Sequence, residues 1–92
     1  MQIAFDAAKN DRNIAERGLS FEVVARFDFS TAVVQVDDRK IYTEVRYVAV
    51  GLLGVRLHVL CFTPIDEGIR VISFRKANSR EIKAYEQTRT ID

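Results

Sequence analysis

Four arginines, Arg46, Arg56, Arg70 and Arg75, fall inside stretches that otherwise read as β-strands. Long cationic side chains are unusual in central strands unless they face water, a partner or an anion. A guanidinium fork can hold a phosphodiester through paired N–H donors and stabilise the negative charge that develops on its oxygens during cleavage. In RNA the nucleophile, the 2′ hydroxyl, already belongs to the substrate, so a cleaving protein needs in-line positioning, a proton acceptor and cations, without a metal or other cofactor. Arg46, Arg70 and Arg75 are the candidate transition-state stabilisers, and Lys76, Arg80, Lys83 and Arg56 are the further RNA-binding candidates. His58 and Tyr85 are the candidate proton-transfer or stacking groups. The bland reading is that the arginines pair with Glu44, Asp37, Asp38 or Asp66 at the sheet surface. A lone strand histidine is likewise more often a satisfied structural residue than a catalyst.

Charge is spread unevenly along the chain. From Arg70 to Arg89 there are six basic residues against two acidic ones, Glu81 and Glu86, whereas Met1 to Ile69 holds eight against ten. The net formal charge is only +1. Phosphate attraction follows local potential rather than net charge, so a cationic strip on a near-neutral chain suits an RNA-contacting surface. The commoner reading of such a run is a solvated helix face.

The 92 residues, 48% hydrophobic and 29% charged, describe one soluble domain spanning 1–92, with a core over about 5–87 and a polar tail at 88–92 that frays. A chain this size buries only about 60 to 65% of its unfolded surface, which leaves room for stabilisation by a partner. Cys61 and His58 are each the sole residue of their type, so neither an intramolecular disulfide nor a zinc set can form from them. No apolar run approaches the ~20 residues of a membrane span, and the expected compartment is the cytoplasm.

These residues must be positioned by an α+β arrangement. Asp6 caps a first helix that Gly18 ends, and Ser20 caps a second, short helix through about Phe27, with Leu19 and Val24 as a hydrophobic staple. Ile14 is the only large apolar anchor of the first helix. Period-two, β-branched runs then predict four antiparallel strands over Thr31–Val36, Val45–Leu53, Val55–Thr63 and Ile69–Arg75. Gly51 and Gly54 flank one connection, and Pro64, Asp66 and Gly68 mark the next. Asn78 and Glu81 have capping-box spacing for a last helix, stapled by Ala77 and Ile82.

The order of these signatures resembles the BrnT toxin family of bacterial type II toxin-antitoxin modules. The likeness runs from about Phe5 to Gln87. It rests on Phe5, Asp6, Lys9 and Asn13, then Gly18, Leu19, Ser20, Phe21, Glu22 and Phe27, then Asp38, Arg39, Glu44, Arg46 and Gly51. Most specific is the close, Ile69, Arg70, Ile72, Ser73, Arg75, Lys76, Ala77, Arg80, Glu81, Tyr85 and Glu86. The resemblance implies a RelE-like fold, a metal-independent ribonuclease that arrests translation, and neutralisation by a BrnA-like ribbon-helix-helix antitoxin through which the complex binds operator DNA. A homodimer is also allowed. The family's usual Lys-His before the glycine is Glu16-Arg17 here, and its Trp near the start is missing. A second reading is therefore kept: a non-catalytic binding protein acting only through antitoxin assembly and transcriptional autoregulation.

Overall fold

The computed structural model describes residues 1–89. Five strands, β1 (Gln2–Phe5), β2 (Val33–Val36), β3 (Tyr47–Leu53), β4 (Arg56–Ile65) and β5 (Gly68–Lys76), form one sheet in the order β1-β5-β4-β3-β2. Helix α1 (Ala7–Arg17) and a 3-10 helix (Phe21–Arg26) stand between β1 and β2, and α2 (Ser79–Arg89) follows β5. The α+β class holds, with corrections in detail. The sheet has five strands rather than four, and β1 runs parallel to β5, from Gln2 opposite Gly68 to Phe5 opposite Val71. Four residues carry too little alternation to announce a strand; this one depends on Gly68, where a Cβ would collide with the Gln2 backbone. The second N-terminal helix is 3-10 rather than α.

The caps form as local chemistry dictates. Asp6 accepts the Lys9 N–H at 3.0 Å, Gly18 takes φ 66, and Ser20 accepts from the Glu22 N–H at 3.1 Å. Asn78 and Glu81 exchange reciprocal bonds of 2.9 and 2.8 Å. Ile14 is 44% exposed and does not anchor α1. Two asparagines do so instead: Asn10 Oδ1 accepts from the Phe21 N–H at 2.7 Å, and Asn13 Nδ2 donates to the Leu19 and Phe74 carbonyls at 2.8 and 3.0 Å. An amide side chain can satisfy both donors and acceptors, and Asn13 thereby occupies the edge of β5 beyond the reach of β1.

Two turns sit elsewhere than their glycines suggested. Gly54, at φ 63, opens the two-residue connection from β3 to β4, whereas Gly51 lies within β3, where a Cβ would stand 2.7 Å from Phe27 Cζ. Pro64 belongs to β4, past the Tyr47–Phe62 pair that ends the β3 ladder, a place where a missing N–H is tolerated. Thr88 and Arg89 of the expected frayed tail are helical, and residues 90–92 lie outside the described residues.

The two faces of the sheet differ in kind. On one, Phe21, Val24 and Phe27 of the 3-10 helix and its end pack on Ala49, Leu60, Phe62, Ile69, Val71 and Phe74. On the other, Leu57, Val59 and Ala77 meet Ile82 and Tyr85 of α2, which covers only part of the surface. A bulge decides which side chains share this second face. Cys61 pairs with Ser73 but Phe62 pairs with Val71, so Ile72 is an extra residue in β5. Strict alternation would put Arg70 and Arg75, five positions apart, on opposite faces; the inserted residue brings them to the same one, opposite Thr63 and Val59.

Candidate functional site

Along β4, the side chains of Thr63, Cys61 and Val59 mark three successive steps of the second face, and an arginine-carboxylate pair stands at each. At the first, Arg70 Nη2 donates to Glu44 Oε1 at 2.6 Å, and Arg46 Nη2 reaches the same oxygen at 3.7 Å. At the second, Asp37 Oδ2 lies 3.9 Å from Cys61 Sγ, and Arg39 grips Asp37 through two bonds of 2.8 Å. At the third, Arg75 and Glu81 form a fork of two 2.8 Å bonds. Arg70 and Arg75 are set apart by four residues of β4, or ~13 Å of extended strand.

The elements that hold these groups explain their arrangement. Arg70 and Arg75 are fixed by β5 and its bulge, Arg46 immediately precedes β3, and Asp37, Arg39 and Glu44 come from the β2–β3 connection. That connection is tied down by the Asp37 N–H donating to the Arg46 carbonyl at 2.8 Å and by Tyr42, whose hydroxyl donates to Asp37 at 3.2 Å. The Arg46 guanidinium lies 4.1 Å from the centre of the Tyr42 ring. Its Nε is buried without a hydrogen-bond partner, so this arginine has unspent donor capacity. Arg39, Arg75, Asp37, Glu81, Cys61 and Ser73 line a depression of about 330 Å³.

The electrostatics separate the carboxylates. Hydrogen bonds from Arg39 hold the Asp37 carboxyl well below its usual range even though the residue is buried. The bonds from Arg75 lower Glu81 to about 2, helped by the Asn78 N–H. Both are firmly ionised and weak proton acceptors. Burial, then the Asp37 charge, pushes the Cys61 thiol up, which makes it a poor nucleophile. Among the described residues no group of three or more His, Cys, Asp or Glu is gathered to hold a metal ion.

Of the residues singled out in the sequence, Arg46, Arg70 and Arg75 share this face, Arg46 and Arg70 on Glu44 and Arg75 apart from them on Glu81. The other candidates are elsewhere. His58 is 3% exposed on the opposite face, stacked on Phe74 with centroids 5.2 Å apart, its Nδ1 3.0 Å from the Arg56 carbonyl. Tyr85 packs between α2 and the sheet, and its hydroxyl donates to the Thr31 carbonyl at 3.0 Å. Arg56 Nη2 reaches the Ala77 carbonyl at 3.5 Å; Arg80 and Lys83 are exposed on α2. Lys76 lines a separate depression with Arg17 at the end of α1.

Arg39, Asp37, Tyr42 and Glu81 belong to the site but were not among its expected residues. Asp37 was expected only as a surface partner for an arginine and Arg39 only as a match to the family pattern, in a run, Asp37–Tyr42, whose dense charge and one aromatic also read as an ordinary polar loop. Glu81 was legible as a cap and as a match to the family's close. No helix among the described residues is long and apolar enough to cross a membrane. A family model described as "Ribonuclease toxin, BrnT, of type II toxin-antitoxin system" matches residues 5–81. No curated protein and no solved structure matches the chain.

Proposed function

The chain belongs to the BrnT family of ribonuclease toxins of type II toxin-antitoxin systems, and from that premise we propose that it is a metal-independent endoribonuclease that arrests translation in the cytoplasm. The observation that carries this reading is the convergence of Arg46 and Arg70 on one oxygen of Glu44, with the buried Arg46 Nε still lacking an acceptor. A phosphodiester entering between the two guanidinium groups supplies oxygens to both and to that Nε, in place of the Glu44 carboxylate. The 2′ oxygen then attacks phosphorus, the bond to the 5′ oxygen breaks, and a cyclic phosphate forms, its extra negative charge held by the arginines. We assign the 2′ proton to Glu44, the carboxylate that the phosphodiester frees from its arginines, while Asp37 and Glu81 stay bonded to Arg39 and Arg75. The departing 5′ oxygen takes a proton from solvent at this open surface. His58 and Tyr85 we assign to packing.

An antitoxin of the BrnA-like ribbon-helix-helix type is the proposed partner, with operator DNA bound through it. Edge strand β2, with Val34 46% and Val36 59% exposed, offers it an unpaired backbone and apolar side chains. The non-catalytic reading has its own support, since Arg39, Arg70 and Arg75 already carry carboxylates that RNA must displace. Induced expression with and without the cognate antitoxin, scoring growth and RNA integrity, separates the two. Purified protein should cleave RNA equally in EDTA and in Mg²⁺. Activity lost in EDTA and restored by Mg²⁺ would overturn the mechanism, and intact RNA with unimpaired growth would favour the binding protein.

A further inference from the structure

Resting on the ribonuclease reading, we infer a second phosphate-binding track, in which Lys9, Arg12 and Arg17 of α1 and Lys76 of β5 carry the backbone of a single-stranded RNA away from the arginine face. Three depressions adjoin through shared residues. Ser73 lines both the arginine depression and one of about 210 Å³ between α1 and β5, where Lys9, Arg12 and Arg17 also stand. Arg17 in turn lines that cleft and the depression of about 230 Å³ beside Lys76. Lys9, Arg12 and Arg17 lie near one side of α1, and Lys9 and Arg17 are separated by ~12 Å along the helix axis. Glu16 is the sole carboxylate lining the α1 cleft.

The cations of the track differ from those of the arginine face in being uncommitted. Among the described residues, Lys9, Arg12, Arg17 and Lys76 make no ion pair, and all four are exposed. They can therefore take phosphates without first losing a counter-ion. The route turns from the sheet face at Ser73, over the edge of β5, to the flank of α1. A duplex is too stiff to follow such a turn over so short a distance, whereas a single strand bends freely. The track thus supplies binding energy away from the scissile bond and selects unpaired segments several nucleotides long.

The test is fluorescence anisotropy with a single-stranded RNA of about 12 nucleotides, within the range such sites cover, made uncleavable by 2′-O-methylation and titrated at several salt concentrations. The wild type, Arg12→Gln/Arg17→Gln and Arg26→Gln are compared, with thermal melting to show that each is folded and parallel cleavage of unmodified RNA. The double variant should give a slope of log K against log salt shallower by ~1.4, or ~0.7 for each phosphate contact removed, while Arg26→Gln keeps the wild-type slope. An unchanged slope in the double variant, or an equal change in Arg26→Gln, overturns the track while leaving the ribonuclease reading intact. If the double variant keeps its RNA slope but loses affinity for the cognate antitoxin, the cleft is a protein-docking surface and the inference is wrong. If the wild type neither binds nor cleaves RNA, the ribonuclease reading fails first and the track with it.

Discussion

The two faces of this sheet are made from the same strands, residue by residue in alternation, yet they are held by different forces. On the face covered by the 3-10 helix, Phe21, Phe27, Phe62 and Phe74 interlock, with Phe27 and Phe74 meeting edge-to-face at 6.1 Å. His58 lies there too, flat against Phe74, and Tyr47 stacks on Phe62. The other face carries Arg39, Arg46, Arg70 and Arg75, matched by Asp37, Glu44 and Glu81. Apolar burial on the first face is non-directional and removes water, so its loss is felt by the whole fold. Partly exposed ion pairs on the second contribute little to stability individually. The lesson is a division of labour: one face fixes the strands, and the other is free to exchange its carboxylates for an anion.

Truncating the dry face should have the largest effect. Phe74→Ala, at a fully buried position, should cost about 3–5 kcal/mol of unfolding free energy in urea titration. A cost below ~1 kcal/mol would mean that this face does not carry the fold. On the polar face, Arg70→Gln should instead lower kcat/KM for RNA by about 1.5–3 kcal/mol of transition-state stabilisation, roughly 10- to 150-fold, with unfolding free energy changed by no more than ~1 kcal/mol. If stability and activity fall together in that variant, the distinction between the faces breaks.

Adding a single methyl group sharpens the contrast. Gly51→Ala directs a Cβ against the Phe27 ring and Ala32, and overpacking of this kind should cost about 1–3 kcal/mol. Ser73→Ala, exposed on the polar face, should change stability by less than ~0.5 kcal/mol. A further effect on the polar face concerns acid. Because Arg75 lowers Glu81 from 4.5 to about 2, its contribution is fully present above pH 4.5 and is lost as the pH falls toward 2. Melting curves of wild type and Glu81→Gln should be furthest apart above pH 4.5 and draw together toward pH 2; a constant gap would show that the Arg75 bond does not stabilise the fold through the Glu81 charge.

Much of this architecture is set by near neighbours in the chain and so can be read from sequence. Asp6, Gly18, Ser20 and the Asn78–Glu81 pair act on backbone groups within a few residues, and their caps form where that chemistry requires. The period-two runs place four of the five strands, but those runs read as apolar on much of both faces, and strict alternation would have split Arg70 from Arg75. What the sequence could not settle depends on register between distant segments. Whether Arg70 and Arg75 share a face turns on the extra residue Ile72, visible only once β5 is laid against β4. The partners of Arg39, Arg46 and Arg70 come from a connection with no periodicity, and Asn10 and Asn13 replace the apolar anchor expected of α1 because their partners include Phe21 and Phe74, one of them on the far strand. Local propensity thus determined the elements, while long-range pairing decided which side chains meet, since a shift of one residue turns every following side chain to the other side of the sheet.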